Sequence, residues 1–240
     1  SRYEEIASNL NGVIEQIKAA AQLSARTYEE ITLIAVTKTF PVSDVHILAS
    51  LDVHHYGENR DSEAAPKAVA VPGTWHFQGQ IQSNKLKSIA SWANIIHSLD
   101  EIRHIQTLDK VATHRIGVFL QVSLDGAQGR GGAAPTDLSA LADSVAQSTH
   151  LDLMGLMAVA PLDVPVDKAF EKFAKRVLTE AIEADPVLGS RLALWGRRLM
   201  GDVLLELRAA FDNRKLAHIP KTKKLTVEEE NQVNLAAYSK

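Results

Sequence analysis

A lysine at the end of an apolar run is the first group in this chain with chemical promise. Leu33-Ile34-Ala35-Val36 stops at Thr37-Lys38-Thr39, and Pro41 follows. Such a run reads as a buried strand, which places Lys38 at its exit. Two readings of that amine stand open. It is a solvated strand end, or it is held over a pocket, where desolvation lets a lysine lose its proton near neutral pH and form a Schiff base. Tyr56-Gly57-Glu58-Asn59 joins another strand exit to a helix start. Helix N-terminal amides bind anions there, and Asn59 either orients a ligand group or caps the helix. Trp75-His76-Phe77-Gln78-Gly79 runs on into Gln80, Gln82, Asn84 and Lys85, a dense set of hydrogen-bonding groups. His76 is a ring-stacking or proton-transfer group, or a core histidine with its bonds satisfied.

Other stretches offer less. Residues 125–132, DGAQGRGG, have the glycines of a phosphate cradle but lack the Gly-Lys-Ser/Thr ending, and read as a flexible loop. The histidines, His54-His55 among them, show no spacing with carboxylates that defines a metal site. Lys221-Thr222-Lys223-Lys224 reads as a solvated turn, too short for nucleic acid.

Positioning these groups requires a regular succession of elements. Residues 3–22 carry Ile6, Leu10, Val13, Ile17 and Ala20 at helical spacing. Strands are expected over 31–36, 52–59, 73–79, 93–99, 115–124 and 151–160. Helices are expected over 43–51 (with Ser43 or Asp44 as N-cap), 83–92, 100–112, from 136 or 137, and over 167–185. Six strand-then-helix units without a linker predict an α/β fold, a (β/α)8 TIM-type barrel with an extra N-terminal helix. The expected organisation is one domain over 1–240: the N-terminal helix in 1–30, six clear units in 31–185, and an atypical region in 186–240. There Ser190–Gly196 is a short seventh strand, no eighth is visible, and the last one or two units are altered. In a parallel barrel, chemistry belongs to the carboxyl ends of the strands, which is where Lys38, Asn59 and His76 fall.

Composition narrows the partners. The 240 residues are 45% hydrophobic and 23% charged, ordinary for a globular protein, with a formal net charge of -3 that favours neither nucleic acid nor an anionic membrane. With no cysteine, disulfides, thiolate nucleophiles and thiolate-bound metals are excluded. The apolar runs are too short to span a membrane, and the acidic, helical start is unlike a signal peptide, so a cytoplasmic location is expected.

The blocks IAVTKTFP (34–41), YGENRDSEA (56–64), WHFQGQIQSNK (75–85), LQVSLDGAQGRGG (120–132) and LMGLMAVAP (153–161) stand in the order of one family's signature blocks. In them, over residues 3 to about 185, the chain resembles the pyridoxal phosphate homeostasis proteins, whose fold is similar to the alanine racemase barrel domain. The resemblance implies pyridoxal 5'-phosphate as cofactor, held as a Schiff base on Lys38, and a role in intracellular cofactor homeostasis without catalytic turnover. It also implies delivery to apo enzymes that use the cofactor. By block matching, Asn59 and His76 lie near the cofactor ring, Met157 matches the sixth-strand block, and Gln82, Asn84 and Lys85 match exposed helix-start positions.

The family's two C-terminal blocks, which supply the phosphate cradle and an arginine near the pyridine nitrogen, are poorly matched by residues 193–215. Gly201-Asp202 echoes the first and Leu207–Arg214 the second, with Arg208 as the counterpart of the arginine. The spacing between them is too short and the cradle glycines are missing. Each charge-assisted phosphate bond lost removes about 1.5–3 kcal/mol, so weakened cofactor affinity is expected. The alternatives are a racemase-like enzyme using the same cofactor, a lyase forming Schiff bases on Lys38 unaided, and a variant that binds cofactor weakly or not at all. A racemase would need a second acid/base opposite Lys38 and a second domain, neither of which is visible.

Overall fold

The computed structural model describes residues 1–126, 131–160, 164–165 and 168–169. The expected helix over 167–185 is described only at Lys168 and Ala169, both helical. Arg208, the seventh strand and the whole of 186–240 lie outside the described residues.

Helix α1 (Arg2–Leu23) turns Ile17 and Ala21 inward against Ile31. Arg2 fastens it to α2 (Val42–Ser50), its Nε and Nη2 donating to Asp44 Oδ2 at 3.1 and 2.5 Å. The expected N-cap at Ser43 or Asp44 is therefore corrected. The helix begins at Val42 after Pro41, and Asp44 lies in its first turn with its carboxylate given to Arg2.

The strands are β1 (Ala35–Val36), β2 (His55–Glu58), β3 (Thr74–Phe77), β4 (Ile95–Leu99), β5 (Ile116–Val122) and β6 (Leu151–Ala158). They form one six-stranded sheet in sequence order, every neighbouring pair parallel. Parallel neighbours need crossovers, and here those after β1 are α2, α3 (Asp61–Ala70), α4 (Leu86–Trp92), α5 (Ile102–Val111) and α6 (Leu138–Ala146). Sequential parallel strands with helical crossovers are the winding of the α/β barrel folds, as expected.

Strand β1 is shorter than the expected 31–36. Ile31 donates its N–H to Tyr28, closing a 3-10 turn over Tyr28–Glu30, and packs on α1, so the start of the run is held elsewhere. The opening turn expected of helix 83–92 is likewise 3-10, over Ser83–Lys85.

Alternation along the strands separates two faces. Tyr56, Trp75 and Phe77 point to the helices and are buried, with ring pairs Tyr56–Trp75 at 4.9 Å and Phe77–Trp92 at 6.0 Å between centroids. Each such pair adds about 0.5–1.5 kcal/mol beyond its buried area. The opposite face carries His55, Gly57, His76, His97, Gly117 and Phe119. At Gly117 the Met154 side chain packs into the space that a Cβ would take.

Candidate functional site

Lys38 sits at the first corner of a turn closed by the Phe40 N–H on the Thr37 carbonyl at 3.1 Å. Thr39, at the second corner, has φ +68°, a left-handed conformation that costs a non-glycine residue about 1–2 kcal/mol. The turn is clamped on both sides of the lysine. Thr37 donates its N–H to Gly57 at 2.9 Å and its hydroxyl to Glu58 Oε1 at 2.7 Å. Lys67, on α3, donates to the same carboxylate oxygen at 2.6 Å and to the Thr37 carbonyl at 2.8 Å. Glu58 is 0% and Lys67 7% exposed, so this ion pair is buried beneath the turn. On the other side, Thr39 donates its N–H to Glu63 Oε2 at 2.9 Å. That bond, with Arg60 adding to it, holds the Glu63 carboxyl below its usual range. Lys38 itself is exposed and makes no hydrogen bond or ion pair among the described residues. Its neighbours are fixed while its amine is left available.

Register relates this turn to the other candidates. Val36 pairs with Gly57, and Gly57 with His76. Lys38 lies two residues beyond that row, in the turn that follows β1, and Asn59 follows directly on the end of β2. Lys38 and Asn59 thus share the exit rim, both exposed, whereas His76 is buried one layer below. The rim is stitched by short bonds. Gln78 donates its N–H to the Glu58 carbonyl at 2.7 Å, and the Ser98 hydroxyl donates to the Gly79 carbonyl. Gly79 must be glycine because a Cβ would occupy the place of the Asn59 carbonyl.

Below the rim runs a chain of imidazoles. His55 Nδ1 meets His76 Nε2 at 3.0 Å, and His76 Nδ1 meets His97 Nε2 at 2.8 Å. His97 stacks on Phe119 with centroids 4.6 Å apart. A neutral His76 donates from one nitrogen and accepts at the other, which satisfies both contacts. Burial above all, and then the neighbouring His97 and His55, push its pKa down to about 2. This ladder was not expected from the sequence, although a signal exists: both steps span 21 residues, one strand-to-strand unit. The buried Glu58–Lys67 pair was also missed, since nothing in the spacing distinguishes Lys67 from a solvated helix lysine.

The remaining expected positions fall as follows. Met157 is buried on β6, paired in register with Gln121 of β5. Gln121 lines a small cleft at the exits of β5 and β6 with Ser123, Asp125, Gly131 and Val159. Gln82, Asn84 and Lys85 are exposed around the 3-10 turn. The structure therefore unites Lys38 with Asn59 at the rim, sets His76 beneath them and places Met157 on β6, the far side of the described sheet from β1.

Lys38 thus stands on a clamped turn at the carboxyl end of a parallel sheet wound in the manner of the α/β barrels. Comparison with known proteins makes the class specific. The chain is 37% identical over 196 residues, 71% of its length and 76% of the relative's, to the pyridoxal phosphate homeostasis protein of Mycobacterium tuberculosis. It belongs to the pyridoxal phosphate homeostasis protein family. Among solved structures, PipY of Synechococcus elongatus with PLP bound superposes with a TM-score of 0.60 at 28% identity, over 74% of this chain and 85% of that one. An alanine racemase of Clostridium difficile matches with a TM-score of 0.59 at 14% identity, over 75% of this chain and 48% of the racemase, a likeness of fold alone. A family model described as "Ferritin-like domain, actinomycetes" matches residues 148–219. Ferritin-like folds are helical bundles, but the matched stretch includes β6, a strand paired in parallel with β5. No helix among the described residues is long and apolar enough to cross a membrane.

Proposed function

We propose that this protein binds pyridoxal 5'-phosphate through Lys38 and serves intracellular cofactor homeostasis as a carrier, without turnover. The observation that carries the proposal is the unpaired amine of Lys38 between two fixed threonines. An aldehyde ligand needs a primary amine that is not committed to a carboxylate, held where the ligand can reach it. Here the Glu58–Lys67 pair and Glu63 hold the backbone, and the side chain stays uncommitted. When bound, the cofactor supplies a reactive aldehyde and an electron-withdrawing ring. The residues of this chain have simpler roles. Asn59 stands at the rim beside Lys38 to orient a polar group of the ring. The neutral His76 below it closes the floor with an uncharged imidazole. Met157 belongs to the wall on β6, and we assign Arg208, with residues 186–240, to the same single domain as the counterpart of the family's ring-side arginine.

The carrier reading has named rivals: a racemase-like enzyme, and a chain whose phosphate grip is reduced so that cofactor binds weakly. PLP is bound by PipY, and the homeostasis name of the relatives supports the carrier. A titration of the purified protein with pyridoxal 5'-phosphate, followed by visible absorbance, tests it. The parent should develop a Schiff-base band that Lys38→Ala lacks. No band at saturating cofactor would sink the proposal, and interconversion of D- and L-amino acids by the loaded protein would replace the carrier with an enzyme. Recipient apo enzymes are tested by adding one to the loaded protein and following its activation.

A further inference from the structure

We propose that Asp100, Glu101 and His104, at the exit of β4 and the start of α5, hold a divalent transition-metal cation. One donor atom from each lies within 4.8 Å of the other two. Acidic residues before a helix are favoured by its dipole alone, so the carboxylates by themselves indicate nothing. The imidazole does. His104 is 4% exposed, and its Nδ1 is buried without a hydrogen-bond partner among the described residues. A buried ring nitrogen left unsatisfied costs free energy that a ligand on it would recover. Nδ1 faces Asp100 Oδ1 at 4.0 Å, too far for a hydrogen bond and close to the separation of two atoms bound to one ion. For metal–ligand bonds of about 2.1 Å a tetrahedral pair is about 3.4 Å apart, so a shift of well under 1 Å brings both into coordination.

Two of the ligands are held from behind. Ser83 Oγ lies 3.1 Å from His104 Nε2. With Nε2 protonated and donating to Ser83, Nδ1 presents its lone pair to the site. Asp100 Oδ2 accepts the Gly132 N–H at 2.8 Å, which leaves Oδ1 for the ion. Arg103 forks onto both oxygens of Glu101, so the ion shares this carboxylate with the guanidinium. Outer partners of this kind orient metal ligands in known sites. Two carboxylates and an imidazole, in a chain without cysteine, select nitrogen- and oxygen-loving divalent ions such as Zn2+, Co2+ or Mn2+. Water fills the remaining positions.

The test is calorimetric titration of the full-length protein, without added cofactor, with zinc chloride. Lys38 takes no part, so the outcome is independent of the cofactor proposal. We expect one zinc per chain, with affinity reduced at least tenfold in Asp100→Asn and in Glu101→Gln. The half-exposed Glu101 makes the second variant safe for folding, and circular dichroism checks both. Absence of zinc binding, or binding left unchanged by Glu101→Gln in a folded protein, overturns the proposal.

Discussion

At the scale of single residues, the interest lies in how a lysine is kept available while everything around it is fixed. The Glu58 carboxylate is wholly buried and is neutralised by Lys67 and the Thr37 hydroxyl. Removing one partner of a buried pair leaves a charge without compensation, so Lys67→Met should cost about 3–5 kcal/mol in urea unfolding. Glu58→Gln added to Lys67→Met should restore part of that loss, and a double variant no better than the single would refute the pairing. Thr39 holds a left-handed conformation that suits glycine. Thr39→Gly should raise stability by about 1 kcal/mol, read as a higher melting temperature. Glu63 has a depressed pKa, so its grip on the turn is present above the ordinary carboxyl value of about 4.3 and is lost as pH falls through the lower folded value. Hydrogen exchange at the Thr39 amide should therefore lose its protection on acidification, and in Glu63→Gln the protection should already be lower at neutral pH and no longer respond to acid.

At the scale of elements, three adjacent strands share a row of histidines. Since His76 is kept neutral to about pH 2 while a free histidine titrates near 6.5, the unfolded chain binds the extra proton between those values. Stability should then fall as pH falls below about 6.5, by about 1.4 kcal/mol per pH unit for this one group. His76→Gln should flatten that slope in urea melts at pH 7, 6 and 5, and an unchanged slope would locate the effect elsewhere. The rim has its own test. Gly79→Ala places a methyl where the Asn59 backbone lies, and overpacking of this kind costs about 1–3 kcal/mol. Cofactor affinity should fall with it, because Asn59 must move.

At the scale of the whole molecule, the succession of units was legible because each strand is a short apolar run and each crossover has a helical period. The site was legible in part. Lys38 and Asn59 could be placed at the rim by strand exits alone. His76 could be placed on β3, but its layer depends on register, which no local pattern encodes. The Thr37–Glu58–Lys67 clamp joins residues far apart in sequence, 30 between Lys67 and Thr37, and only the fold unites them. The start of β1 was misread because an apolar run does not reveal which helix will take its first residues.

The central claim is that Lys38 is the residue that captures the cofactor. Borohydride reduction of the protein loaded with pyridoxal 5'-phosphate, followed by peptide mass mapping, tests it most directly. One reduced pyridoxyl-phosphate adduct is expected, on the peptide bearing Lys38, and none on that peptide in Lys38→Ala. An adduct confined to another lysine, or scattered over several with Lys38 unmodified, would contradict it.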